Sequence, residues 1–274
     1  MDASTSLSSS GKTKQEDCKF TSDVSNAKFV NHLFVRLVAK GRKFVGVDFR
    51  YSTFDAAYVR NCSFDSCNFT GCRFVGCNFH GSSFTGCNFE YTNFERTDID
   101  SDILSTGCPG SENLKTRFSR SLRMNYQQLG DATSVNKAIA VELAATEAHL
   151  HKSWNSNESY YRKKYQGVKR IQQFFRWVNF KLLDVVWGNG ESPLKLLRAV
   201  LVLFACMAIV DVISHRNRTL IGSYIDGLVA APQIFFGIEI PPSYPSWYLT
   251  IIIFSRLVFL GLFMAIIVKR LNRR

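Results

Sequence analysis

Arg256 stands near the middle of residues 247–268, WYLTIIIFSRLVFLGLFMAIIV, a run that carries no other charge. A lone guanidinium in so apolar a run is expensive in hydrocarbon. It marks either a paired charge or a water-lined cavity. Candidate partners on neighbouring segments are Asp211, Asp226 and Glu239. An ion pair with one of them would fix the segment that carries it. A guanidinium facing an aqueous path would instead repel cations and favour anions or weak selectivity. Either way, the chemistry is the handling of charge inside a membrane.

The segment in question is residues 222–242, GSYIDGLVAAPQIFFGIEIPP, which has only two charges and is too short to cross a bilayer and return as a helix. An apolar stretch of that size, set between longer apolar runs, fits a re-entrant element. Pro232 disfavours a helical Ala231, so the helix is expected to end near Ala230. Bond-making chemistry has no such foothold. His32, His80, His149, His151 and His215 are scattered, and no phosphate-binding glycine loop or nucleophile motif is present. No catalytic residue, cofactor or metal ligand is expected, and the chain does not read as an enzyme. Five of the eight cysteines (Cys62, Cys67, Cys72, Cys77 and Cys87) fall at C-x4-C spacings without a histidine pattern. That is not zinc spacing, and small buried thiols in a reducing compartment are expected.

Two apolar runs flank the segment. Residues 196–213 (LLRAVLVLFACMAIVDVI) would be about 27 Å long as a helix and residues 247–268 about 33 Å, enough to span a bilayer. Lys/Arg residues cluster near the outer ends of the pair: Arg176, Lys181, Lys195 and Arg198 at its start, Lys269, Arg270, Arg273 and Arg274 after it. The connecting loop has only Arg216 and Arg218, so both termini are expected on the cytoplasmic side. Before the spans, residues 160–187 place Ile171, Phe174, Phe175, Val178, Leu182, Val185 and Val186 on one helical face. Arg162, Lys163, Lys164, Lys169, Arg170, Arg176 and Lys181 make the remainder basic, and such a helix suits an anionic membrane surface. Upstream, residues 112–130 and a helix starting at Thr133 or Ser134 form a helical connector; Ala138, Val141 and Ala145 share one face.

The first half obeys a different rule. Stepping by five from Phe29 to Leu104 gives sixteen positions, of which twelve are Phe and the other four, Ala39, Val59, Ile99 and Leu104, are apolar. Neither 3.6 nor 2 generates this period, so a repeat architecture must. A small residue recurs two places before each Phe, with His32 and Arg42 as departures that imply an irregular first coil or a cap. The formal net charge of +12 is not in the repeat: residues 27–104 hold nine Lys/Arg and eight Asp/Glu. Residues 151–274 hold seventeen and six. A near-neutral repeat argues against mimicry of DNA, and no nucleic-acid partner is expected. Residues 1–17 have no apolar core for a signal peptide and read as a disordered cytosolic tail.

The units C-N-F-T-G, C-R-F-V-G, C-N-F-H-G and C-N-F-E-Y resemble the pentapeptide-repeat family. That resemblance implies a right-handed, four-sided β-helix with four pentapeptides per coil and about four coils. A second resemblance covers the rest. RSLRMNYQQLGD (120–131), ESYYRKKYQ (158–166), WGNGESPLKLLRAVLV (187–202) and RLVFLGLFMAIIVKR (256–270) look like the bacterial potassium-channel-like proteins that carry a pentapeptide repeat. In this likeness Gly261 takes the place of a hinge glycine in the inner helix. The family's T-x-G-Y-G-D filter is replaced by Gln233, Ile234, Phe235, Phe236, Gly237, Ile238 and Glu239, keeping only Gly237 and, in kind, Glu239. Phe235 at the first glycine position makes a filter backbone costly, which counts against potassium selectivity.

The expected class is mixed. A tail over 1–26 is followed by a right-handed quadrilateral β-helix over 27–108 and an α-helical connector over 109–190. An α-helical membrane domain over 191–274 has two transmembrane helices and a re-entrant pore helix. Expected partners are the lipid bilayer, a permeating ion and further copies of the chain, a tetramer being favoured, since two spans cannot enclose a pore alone. The competing expectation is a membrane-anchored scaffold that does not conduct.

Overall fold

A computed structural model describes residues 11–271. The chain divides after Arg170 into two compact units. The first opens with a β-solenoid. Its first coil holds β1 (Thr13–Glu16), β2 (Lys19–Phe20) and β3 (Val24–Ser25). The second holds β4 (His32–Val35), β5 (Val38–Lys40) and β6 (Lys43–Val45), and the third β7 (Thr53–Asp55), β8 (Tyr58–Arg60) and β9 (Ser63–Asp65). β10 (Arg73–Val75) and β11 (Ser83–Thr85) belong to the fourth, and β12 (Asn93–Glu95) follows. All pairings are parallel, in the sheet orders β1-β4-β7-β10-β12, β2-β5-β8 and β3-β6-β9-β11. A fourth line of single bridges joins Lys28, Asp48, Asn68 and Asn88. The solenoid therefore makes about four turns.

The ladder explains the coil. Phe34, Phe54, Phe74 and Phe94 stand in register on successive strands, one coil apart. The rings stack face to face, at 4.8 Å for Phe44–Phe64, 5.2 Å for Phe49–Phe69 and 5.0 Å for Phe54–Phe74. These separations match the strand spacing, so ring stacking and backbone pairing set the same rise. Phe34, Phe44, Phe49, Phe69 and Phe74 are all buried. Every fifth residue from Asn26 to Arg96 turns a corner with positive φ. Glycine holds six of these corners, but Arg36 (φ 54°) and Tyr51 (φ 60°) hold the same conformation with a side chain. Each such residue costs about 1–2 kcal/mol, which the packed ladder outweighs.

The repeat begins earlier than the ladder indicates. Phe20 lies opposite Ala39, while Val24 lies opposite Phe44. The first coil thus lacks one residue between Phe20 and Val24, and stepping backwards by five loses the phase there. β1 to β3 fall inside the stretch expected to be a disordered tail, so the solenoid starts at Thr13 instead of residue 27. Residues 1–10 of that tail lie outside the described residues.

α1 (Ile103–Thr106) leads from the solenoid to a hairpin of α2 (Glu112–Leu129) and α3 (Ala132–Asn155). Gly130 ends α2 in the left-handed region (φ 74°), and the Asp131 carboxylate accepts from the Ser134 N–H at 3.0 Å to start α3. The cap is thus Asp131, ahead of the expected Thr133 or Ser134. Ala138 and Ala145 are buried on the expected face. α4 (Ser159–Lys164) and α5 (Val168–Trp187) follow. The single helix expected over 160–187 is two helices, because Gly167 takes a positive φ of 51° between them.

The second unit holds α5 from Ile171 onward, α6 (Pro193–His215), α7 (Ile221–Phe236) and α8 (Ser246–Leu271). Pro193 occupies the first turn of α6, and the Ser192 hydroxyl accepts from the Lys195 N–H. Around α7, Phe204 and Met207 of α6 pack with Ala231, Ile234 and Phe235, and with Tyr244 and Ile252 beyond. α6 and α8 are long and apolar enough to cross a membrane, and only 33% and 11% of their most apolar stretches are buried. A core helix of a water-soluble domain would hide most of that surface.

Candidate functional site

Construction of the site starts with α7. It does not stop at Ala230; it continues through Pro232 to Phe236. Proline removes one N–H and crowds the carbonyl four residues back, but a helix held by neighbours tolerates this. Ala231, Ile234 and Phe235 provide that hold, being 1%, 6% and 4% exposed, with the Phe235 ring 5.3 Å from that of Phe204. Gln233, Ile234, Phe235 and Phe236 therefore form the last helical turn. The chain leaves it through Gly237 at φ 80°, whose N–H reaches the Ile234 carbonyl, while the Ile238 N–H reaches that of Gln233 at 2.8 Å. Ile238 and Glu239 are exposed beyond this cap.

Arg256 of α8 meets that helix end. Its Nη1 donates to the Phe236 carbonyl oxygen at 3.0 Å. A Cβ placed on Gly237 would lie 2.7 Å from the same nitrogen, so Gly237 supplies both the left-handed turn and the clearance. The expected pairing of Arg256 with Asp211, Asp226 or Glu239 does not form; its partner among the described residues is a carbonyl. The reason is electrostatic and geometric. A helix C-terminus carries roughly half a negative charge on unsatisfied carbonyls, and the continued α7 presents them to α8.

The acids gather elsewhere. Asp211, buried near the end of α6, accepts from Arg216 Nε at 2.6 Å, and Asp226 of α7 lies 3.8 Å from the same guanidinium. Arg216 reads in the sequence only as a loop charge, yet it is the cation for both. Gly261 sits within unbroken α8 with open space where a Cβ would go. Lower in the unit, Lys195 bonds Asp184 at 2.8 Å, and Lys269 pairs with Glu191.

In the first unit, the end of the solenoid carries a second arrangement. Phe118 of α2 packs its ring 5.8 Å from Phe89 and 5.9 Å from Phe94. On the same helix, Ser121 Oγ accepts from the Phe94 N–H (2.9 Å) and Gln128 Oε1 from the Arg96 N–H (3.0 Å). Asn125 accepts from the Thr97 N–H and donates to the Thr97 carbonyl, both at 2.7 Å. Three side chains one helical turn apart thus stand in for the strand that a further coil would supply. The sequence signal is the spacing Ser-x3-Asn-x2-Gln on a helix that follows directly on the repeat. All eight cysteines are free. Burial pushes the Cys72 and Cys77 thiols up to about 12.

A family model for pentapeptide repeats matches eight copies over residues 43–81 and 62–100. The solenoid is built of pentapeptide repeats. Among solved structures, the chain is similar to a trypsin-treated variant of QnrB1, described as a plasmid-mediated fluoroquinolone resistance protein. Identity is 18%, over 33% of this chain and 64% of that one, with a TM-score of 0.20. A second trypsin-treated QnrB1 variant matches at 20% identity over 32% and 54%, with a TM-score of 0.15. The chain spans less than two thirds of either. No curated protein matches it. The pentapeptide repeats thus account for residues 43–100, and the helical units stand outside the family match.

Proposed function

We propose that the chain is one subunit of an oligomeric membrane pore, a tetramer, with a right-handed four-sided pentapeptide-repeat post on the cytoplasmic side. Both termini are cytoplasmic, α6 and α8 are the spans and α7 is the re-entrant helix. The reading rests on two helices fit to span a bilayer with a shorter apolar helix between them. The observation that carries its ionic character is Arg256 Nη1 on the Phe236 carbonyl. In a cation pore, carbonyl oxygens of this segment would face the permeant ion. Here a fixed guanidinium occupies one such oxygen, and residues 233–236 are helical. The pathway is therefore not potassium-selective; it passes anions or discriminates weakly. Its role is non-enzymatic.

The test is planar-bilayer recording of the purified chain under asymmetric potassium, sodium and chloride. The expected reversal potential follows chloride or lies near zero, and Arg256→Gln moves it towards the cation values. A reversal at the potassium potential would sink the selectivity assignment. The helical state of residues 233–236 also favours a second reading, a membrane-anchored scaffold, and absence of conductance at every voltage and salt gradient would establish that one instead.

A further inference from the structure

One face of the solenoid carries opposite charges at its two ends. On the side that begins with β2, outward residues stack coil upon coil in two columns. One column is Lys19, Val38, Tyr58, Asn78 and Asp98. In the other, Lys40 is in register with Arg60, the Asn61 N–H donates to the His80 carbonyl, and His80 Nδ1 lies 3.3 Å from Asp100 Oδ1. Lys19, Lys40 and Arg60 thus mark the early coils, and Asp98 and Asp100 the end beyond β12. Lys19, Lys40 and Asp98 are exposed, and among the described residues they have no ion-pair partner. Between the two ends Tyr58 is 39% exposed, with the Arg60 guanidinium 6.0 Å from its ring centre. The negative end is felt inside the protein too: burial first, then Asp131, Asp100, Asp102 and Asp98, push the Tyr126 hydroxyl up.

We infer that this face binds the same face of a second copy, turned end over end. A half turn about an axis along the strands, midway between the levels of Arg60 and His80, sets Lys40 against Asp100 and Asp98 of the second copy. By symmetry the same contact forms twice, and Tyr58 meets Asn78 between them. The charges choose this occupant. A uniformly acidic partner would be repelled by Asp98 and Asp100, and a uniformly basic one by Lys40 and Arg60. A second copy set parallel would oppose like with like at both ends. The end-over-end copy meets opposite charge at each end and an aromatic ring near the middle. Four coil levels make a contact about 19 Å long, small for two free molecules. The pair therefore forms between chains that their membrane units already hold together, where the effective concentration is high. In that respect the inference rests on the oligomeric reading above, and the posts of a tetramer would associate as two pairs.

The test uses the full chain, unlabelled and labelled with heavy nitrogen, mixed in detergent and reconstituted at one assembly per nanodisc. A zero-length carbodiimide should join Lys40 to Asp98 or Asp100 in peptides that combine the two labels. Within one chain these residues lie about 14 Å apart, too far to be joined. A photoreactive benzoylphenylalanine in place of Tyr58 should cross-link chains in the same discs, and Lys40→Glu should cut that yield at least several-fold. Asp98→Lys should lower the yield in the parent chain but raise it in the Lys40→Glu chain, a reversal that facing charges give and a merely structural role does not. Absence of mixed-label Lys40 links, or an Asp98→Lys effect of the same sign in both chains, would overturn the inference. A monomeric mass in the nanodisc would defeat the oligomeric reading as well, whereas an assembled oligomer without the links defeats this inference alone.

Discussion

The solenoid and the membrane-type unit are both rich in large apolar side chains, and they put them in opposite places. Phe34 and Phe69 are 0% and 1% exposed, whereas Phe254, Leu257 and Leu260 of α8 are 66%, 61% and 56% exposed. A solenoid coil buries its ring on the identical ring of the next coil, so one chain completes its own core. A pair of spans has no next coil, and its remaining apolar surface must be met by lipid or by other copies. The two regions also end differently. The solenoid's last strand is closed by three side chains of α2, and the last turn of α7 is closed by one guanidinium.

That contrast can be broken at several points. The largest effect is expected at the ladder. Phe69→Ala should destabilise the solenoid by about 3–5 kcal/mol, read from denaturant unfolding followed by circular dichroism. Phe254→Ala should leave that transition in place; equal losses would erase the distinction between self-buried and exposed apolar groups. Next comes Asn125→Ala, which strips the Thr97 N–H and carbonyl of their partners in a buried setting and should cost about 2–5 kcal/mol. A loss confined to α2, with the last coil still protected from hydrogen exchange, would show that the helix does not close the solenoid.

Gly237→Ala is expected to cost about 1–2 kcal/mol from the left-handed backbone, and to release Arg256 from Phe236. Unchanged thermal stability in detergent together with unchanged conductance would count against the role assigned to that helix end. The smallest effect belongs to the thiols. The folded pKa of Cys72 and Cys77 is raised to about 12, above the usual thiol value, so their contribution is whole at neutral pH. It declines as pH climbs past the unfolded value near about 8.5, where the unfolded chain loses the protons first. Correspondingly, a maleimide at mildly alkaline pH should spare Cys72 and Cys77 in the folded chain and label them once it is denatured; rapid labelling of either buried thiol without denaturant would mean that the solenoid breathes.

Much of the fold was open to reading because its period is short and its units pair only with the next coil. Twelve phenylalanines in one phase announced the repeat, and the apolar runs announced both candidate spans. The first coil escaped because the missing residue between Phe20 and Val24 shifts the phase, although Phe20 itself is apolar and at hand. The site was legible only in part. Arg256, Gly237 and the acids were visible as unusual residues, but their pairing was not.

The sequence by itself determined the five-residue period, the inward phenylalanines, the apolar helices and the helix break at Gly130, since these depend on residue type and near neighbours. Only the tertiary structure decided that α7 runs on through Pro232, that Arg256 meets a carbonyl and no acid, and that Arg216 takes Asp211 and Asp226. Those outcomes turn on packing and on the direction of a helix's last carbonyls, which residues distant in the chain supply together.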